Sequence, residues 1–389
     1  MTKWRVLFFL STLIIVGVIG TFVTFYARGY RLNTETLRFL PNGILVVKSE
    51  PDGASVIING ELRTATNATI SLAPGTYDVE IKKDGFFSWY KRLVIEKEVV
   101  TQATVSLFRS VPSLSPVTFS GAQNPVISED NSKIAYTIPP TNEVDSQKTG
   151  LWVIDVVNLP LGFGRDPRRI TDGNLTGATY EFSPDARQIL VTTSNSIFLL
   201  DSGSFTSQSD RVNVSSQKAA ILAQWQAEKK KQQDSLLRYL PPQISDVFTN
   251  STSKLTFSPD ENMILYTAKT AANLPEKLVK ELPGSSTQKQ ERDIKEGQTY
   301  IYDIKEDRNF LVTDGERFPL WLPTSKHLVL AEEGKVTVMD YDGTNKQVVY
   351  SGSYIAPFAY PFSNTSKLLI LTSLGSDSAT PNLYSITIK

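Results

Sequence analysis

The chain of 389 residues has no cysteine and one histidine, His327. The first absence excludes disulfides, thiolate-bound metals, iron–sulfur clusters and a cysteine nucleophile. The second excludes a multi-histidine metal centre, and any Ser–His–Asp triad would have to use that single ring. Charge imbalance is absent too: 40 Lys and Arg stand against 40 Asp and Glu. A nucleic-acid binder concentrates positive charge to displace counterions from phosphates, so that class is set aside. There is no Gly-x-Ser-x-Gly elbow, glycine-rich phosphate loop, His-Glu-x-x-His pair or EF-hand loop. His327 stands at the start of an apolar strand pattern and reads as structural or exposed. No catalytic residue, metal ligand or cofactor-binding residue is assigned.

What is present begins with a membrane signal. Val6 to Tyr26 is an apolar run without a charge, and a bilayer core needs about 20 such residues. Lys3 and Arg5 precede it, Arg28, Arg31 and Arg38 follow it, and Trp4, Tyr26 and Tyr30 lie at its margins as an interfacial belt would. The run is long for a signal-peptide core, and Phe25-Tyr-Ala-Arg28 makes a poor cleavage site. Residues 1–38 are therefore expected to be a short tail, an uncleaved anchor and a linker. Basic residues are nearly matched on the two sides, so charge leaves orientation open. A short tail before a large trailing chain is the shape of a signal anchor, which points the C-terminal bulk outside the cytoplasm.

From Gly43 the apolar period becomes two. Gly43–Ser49, Ala54–Gly60, Thr76–Lys82, Leu93–Glu96 and Ala103–Leu107 read as strands, separated by turns at Pro51-Asp-Gly53, Asn59-Gly60, Pro74-Gly75 and Asp84-Gly85. Short strands with such turns suggest a small antiparallel β-sandwich over 39–109. These residues resemble the PEGA domain family: Pro51-Asp52-Gly53-Ala54 stands where the family has Pro-Glu-Gly-Ala. Val56–Gly60, Leu72–Tyr77 and Lys83–Phe86 supply its accompanying pieces. The family's Gly-x-Thr-Pro step is reduced here to Thr64-Ala-Thr66. The resemblance implies an envelope module with a spacer or interaction role and no chemistry. The motif residues Pro51, Asp52, Gly53, Ala54, Asn59, Gly60, Pro74, Gly75 and Gly85 are explained as turn residues.

The remaining chain, 110–389, repeats itself. Phe182-Ser183-Pro184-Asp185 recurs as Phe257-Ser258-Pro259-Asp260, each before an apolar strand. Ile127–Asp130, Trp321–Thr324 and Pro361–Asn364 are weaker copies. A second strand follows, mostly ending in aspartate, as in Leu151–Asp155, Ile197–Asp201, Tyr300–Asp303 and Val336–Asp340. An outer strand then appears at Arg168–Thr171, Phe310–Thr313 and Gln347–Tyr350. Repeated four-stranded sheets make a β-propeller. The unit resembles the TolB-type, WD-like repeat, with Ala186 and Glu261 in place of that repeat's glycine. Five blades are expected, with six as the alternative, and residues 116–119 are available to close the last one. Aromatic residues 354–362 read as that blade's inner strand and its turn.

Two insertions interrupt the blades, at about 205–250 and 270–297. Ser216–Leu240 lacks Gly and Pro and stops before Pro241-Pro242, so it should be a helix. Trp225, Leu236 and Tyr239 are its candidate partner contacts; the alternative is a helix packed on the propeller. Residues 270–297 are polar and read as a mobile hairpin loop. The fold class expected is mainly β: an anchor helix, a PEGA-like sandwich and a propeller with a helical insertion. The function expected is a single-pass envelope protein that binds a protein or glycan without catalysis. The alternative is a surface carbohydrate-active enzyme with carboxylates in the propeller funnel.

Overall fold

The computed structural model describes residues 2–27, 30–33, 38–140, 147–156, 166–279, 282, 286–315, 317–362, 366–375 and 380–389. The chain divides into two compact units: Met1–Leu107 with Glu281–Gln288, and Phe108–Lys280 with Lys289–Lys389.

The first unit opens with one unbroken helix, α1 (Thr2–Ala27). From Trp4 to Ala27 none of it is buried in protein, and it is long and apolar enough to cross a bilayer. A short hairpin, β1 (Tyr30–Asn33) and β2 (Arg38–Pro41), precedes the sandwich strands β3 (Gly43–Glu50), β4 (Ser55–Ile58), β5 (Glu61–Ala65), β6 (Ala68–Leu72), β7 (Gly75–Lys82), β8 (Trp89–Ile95) and β9 (Val100–Ser106). They form two sheets, ordered β6-β3-β9 and β5-β4-β7-β8. Strand alternation sends Leu45, Val47, Val56, Ile58, Val79, Ile81, Ala103 and Val105 into a common core with Trp89 and Ile95. Each fully buried aliphatic side chain there is worth about 1.5–3 kcal/mol. One ladder departs from the antiparallel expectation: β3 pairs with β9 in parallel. Between the two strands the chain has room to return, and it uses the interval for the second sheet, β4, β5, β7 and β8, and for β6, which pairs back on β3.

The second unit starts with β10 (Ser113–Pro116). Blade 1 is β11 (Gln123–Ile127), β12 (Lys133–Ile138), β13 (Gly150–Asp155) and β14 (Arg168–Asp172). Blade 2 has only β15 (Thr179–Phe182), β16 (Gln188–Thr192) and β17 (Ile197–Asp201). A single bridge from Phe198 to Asn213 replaces its outer strand. Two helices follow, α2 (Lys218–Leu237) and α3 (Pro242–Ser251). Blade 3 is β18 (Thr252–Phe257), β19 (Met263–Ala268), β22 (Thr299–Asp303) and β23 (Arg308–Thr313), with a small hairpin, β20 (Ala272–Asn273) and β21 (Asp293–Ile294), inserted after β19. Blade 4 is β24 (Leu320–Trp321), β25 (His327–Glu332), β26 (Lys335–Asp340) and β27 (Gln347–Ser351). Blade 5 is β28 (Ala359–Phe362), β29 (Lys367–Thr372), β30 (Asn382–Thr387) and, outermost, β10. The closing strand therefore lies at 113–116, just upstream of the expected 116–119, and the blade count is five.

Alternation within each blade explains how neighbours meet. In β12, Ile134 and Tyr136 pack with Leu369, Leu371 and Leu383 of blade 5, while Ala135 faces Ile189 and Val191 of blade 2. In β19, Leu265 packs with Trp321 and Leu328 of blade 4. Its opposite face, Ile264 and Tyr266, meets helices instead of a blade. Leu237, Leu240, Ile244 and Phe248 cover it, with the Phe248 ring edge-on to Tyr266 at 4.9 Å.

The helical insertion departs from expectation in one respect. Pro241-Pro242 ends α2, but Pro242 also opens α3. Proline is tolerated at a first helical position, where its missing N–H would be unpaired anyway. Within the segment 270–297, β20 and β21 pair as a hairpin. Leu274 and Ile294 are fully buried at the base of its hairpin.

Candidate functional site

In the first unit the motif residues form linked turns. The Ala54 and Gly53 amides donate to the Thr66 hydroxyl and carbonyl at 3.0 and 3.2 Å. Lys83 Nζ donates to the Asp52 carbonyl at 2.6 Å, tying this turn to the one that carries Gly85. Asn59 and Gly60 have φ of 51° and 83°, as a two-residue hairpin requires. The Asn59 side chain accepts the Asp78 amide at 2.9 Å. After Pro74-Gly75, the Tyr77 hydroxyl donates to the Ala73 carbonyl at 2.9 Å. Their polar groups are spent on holding loops.

The propeller turns share one hydrogen-bond pattern. Ser183 Oγ donates to Asp185 Oδ1 at 2.6 Å and accepts the Gln188 amide at 2.9 Å. Ser258 does the same with Asp260 and Met263, at 2.7 and 3.0 Å. The weaker copy repeats it: Ser128 to Asp130 at 2.6 Å, and the Lys133 amide to Ser128 at 2.9 Å. Three residues after each serine the backbone turns left-handed, at Asn131, Ala186 and Glu261 with φ of 55°, 55° and 59°. Ser325 takes the equivalent place in blade 4, with φ of 58°. This is the position of the repeat's glycine, so the conformation persists where the residue has changed. The Ser183 hydroxyl holds the Asp185 carboxyl below its ordinary value. Burial works against Asp260, but hydrogen bonds from Ser258 and Asn262 outweigh it and lower its pKa as well. Pro184 and Pro259 lie within these turns and carry no polar group to a site.

The three candidate contacts of the helical insertion separate. Trp225 is 6% exposed and Leu236 is half-buried, while Tyr239 is 85% exposed. The helix is also tied to two blades. Lys229 pairs with Glu129 on the blade 1 turn, and Gln233 Nε2 donates to the Leu255 carbonyl of β18 at 3.1 Å. The insertion is thus built into the propeller, and Tyr239 is the one candidate contact left open to solvent.

Buried polar groups occur where sequence reading placed none. Arg292, in the 270–297 insertion, donates to Asp307 Oδ1 at 2.9 Å, to the Asp307 carbonyl, to the Pro275 carbonyl at 3.1 Å and to Gln290 at 3.0 Å. The Tyr302 hydroxyl donates to the same Asp307 oxygen at 2.9 Å. A polar loop and a turn fifteen residues apart gave no pattern that would have joined them. Asp303 begins that turn, its carboxylate accepting the Lys305 and Glu306 amides at 2.9 Å each. Burial pushes its pKa up to about 6. Its place on the β22–β23 turn is in the outer half of the blade, away from the inner strands that a funnel site would use. His327 is buried, 3.0 Å from the Thr324 hydroxyl and 3.6 Å from Asp340, with its ring edge-on to Phe108. It is a structural histidine. Among the described residues, no group of three metal-ligating side chains comes together.

Residues 42–110 match the family model described as PEGA domain. No curated protein matches the chain. Among solved structures, TolB from Acinetobacter baumannii is similar at 12% identity and a TM-score of 0.22, over 80% of this chain and 59% of that one. The chain thus spans under two thirds of that relative's length. A putative TolB from Agrobacterium tumefaciens gives 12% and 0.20, covering 87% and 99%. The β-propeller domain of the trilobed protease from Pyrococcus furiosus gives 12% and 0.23, covering 90% and 97%. Overlaps this loose add nothing to the strand order described above. The chain is defined by its parts: an apolar N-terminal helix, a PEGA-type sandwich and a five-bladed propeller.

Proposed function

We propose that this is a single-pass membrane-anchored envelope protein, with its sandwich and propeller outside the cytoplasm, which binds a protein or glycan without catalysis. The observation that carries the reading is α1. It carries no charge from Val6 to Tyr26, and none of its side chains from Trp4 to Ala27 is buried by the protein. Three of its hydroxyls are satisfied within the helix: Thr12, Thr21 and Thr24 donate to the carbonyls of Phe8, Gly17 and Gly20 at 2.9, 2.8 and 2.7 Å. A helix in lipid needs this, because the hydrocarbon offers no partner. Directly after it comes a sandwich of a family associated with the envelope, whose motif residues are used up in turns. The test is alkaline carbonate extraction of membranes, followed by proteolysis of intact cells. The full chain should stay with the membrane and its propeller should be shaved away. Release by carbonate, or a mature N-terminus beyond residue 27, would refute the anchor, and full protection would refute the orientation.

A further inference from the structure

We propose that β5 is a homodimerisation edge, pairing antiparallel with β5 of a second copy of this chain about a two-fold axis at Leu62. The strand is the open edge of the β5-β4-β7-β8 sheet, and all five of its residues are exposed. The opposite edge is already used, since the Arg92 carbonyl of β8 accepts Thr287 and Gln288 at 2.9 and 3.0 Å. The hairpin fixes which groups β5 offers. Glu61 stands opposite Ile58 and Leu62 opposite Ile57, while the Asn59 amide donates to Asp78 of β7. Alternation along an antiparallel strand then turns Glu61 toward β4 and aims the Leu62 amide and carbonyl outward.

A two-fold axis at Leu62 would let the two Leu62 residues exchange both backbone bonds. The same register sets Glu61 opposite the partner's Arg63, twice. Each pair is of opposite charge, and directly opposed like charges would be unfavourable. Within one chain these two side chains already meet, Arg63 Nη2 lying 2.9 Å from Glu61, so pairing exchanges one ion pair for another at little cost. Leu62, 69% exposed, would meet its counterpart beside Ile57, extending the row Leu62–Ile57–Glu80–Tyr90 across both sheets. The bulge between Val56 and Ile57, opposite Arg63, limits the ladder to this short stretch. Such a contact is weak in solution and gains from confinement of both copies in one bilayer.

The absence of native cysteine makes the test clean. The full chain carrying Leu62→Cys is reconstituted in phosphatidylcholine vesicles and oxidised, with Thr104→Cys, at an exposed position of β9, as the collision control. A hydrogen-bonded pair holds its Cα atoms about 5.5 Å apart, within disulfide range. Leu62→Cys should give a disulfide dimer well above the control. In that background Glu61→Arg and Arg63→Glu should each lower dimer yield about tenfold, because two attractive pairs become two repulsive ones. A mixture of the two variants should restore it as the heterodimer, which places Arg opposite Glu again. Dimer no greater than the control overturns the proposal. So does equal cross-linking by the single charge variants, or a mixture that does not recover.

Discussion

Replacing Arg292 by alanine tests the most heavily invested contact in the propeller. The ion pair with Asp307 is almost dry, the two side chains being 8% and 6% exposed. The guanidinium also satisfies two backbone carbonyls and Gln290. Its loss leaves the Asp307 carboxylate buried with the Tyr302 hydroxyl still donating to it. Breaking a buried pair from one side typically costs about 3–5 kcal/mol, chiefly through the charge left behind. For a unit of this size that is a fall in melting temperature of about 6–15 °C. The double variant Arg292→Met with Asp307→Asn removes both charges. Asparagine keeps an acceptor for Tyr302 and suits the left-handed backbone at 307, where φ is 51°. It should regain more than half of the loss. Thermal unfolding of the full chain in detergent, followed by circular dichroism, reads the propeller transition. Trypsin reads the loop, which should be cut sooner at Lys277 and Lys289 in the single variant. The reasoning fails if Arg292→Ala lies within about 1 kcal/mol of the parent, below the range for a buried pair. It also fails if the double variant is no better than the single one.

Glu261→Gly should stabilise the propeller by about 0.5–1 kcal/mol, since a left-handed conformation strains a residue with a Cβ and not glycine. An unchanged urea midpoint would show that the turn carries no such strain. Asp303 titrates with a raised pKa in the folded state, so the stability it contributes is present below its unfolded value near 4 and is lost as pH rises through about 6. Asp303→Asn should therefore gain up to about 3 kcal/mol at pH 7.5 and nothing at pH 3.5, where both states are neutral. A gain that does not depend on pH would assign the effect to something other than the charge.

The readable parts of this chain are those whose cause is local. The propeller turns show in the sequence because serine, aspartate and the left-handed residue bond to one another within five positions, so their order is their mechanism. The sandwich strands β3, β4 and β7 show because their buried faces alternate. β5 does not, because the edge strand Glu61–Ala65 buries nothing and leaves no apolar period. The parallel ladder of β3 with β9 is illegible for another reason: nothing in either strand encodes the direction of a partner 56 residues away. Proline at 242 was read as a stop, although in a first helical turn it is equally a start. Among the candidate contacts, Trp225 near the start of the helix and Tyr239 at its end look alike in the sequence, but solvent exposure depends on the blades against which the helix lies. Arg292 and Asp307 were hidden in polar composition, which describes a solvated loop and a buried ion pair alike.

Blade 5 joins the first strand of its unit to the last. Ser113 stands opposite Thr387 and Pro116 opposite Tyr384, so a strand made early must wait for one made much later. At synthesis rates of about 5–20 residues per second, the interval from 113 to 382 lasts roughly 13–54 s. During that time β10 has no ladder and the inner strands of four blades stand ready beside an unfinished ring. The last sheet of the propeller is therefore completed only once β30 has been made, long after its outermost strand β10. A chain stopped a few residues short of β30 would lose one strand by deletion and a second by desertion.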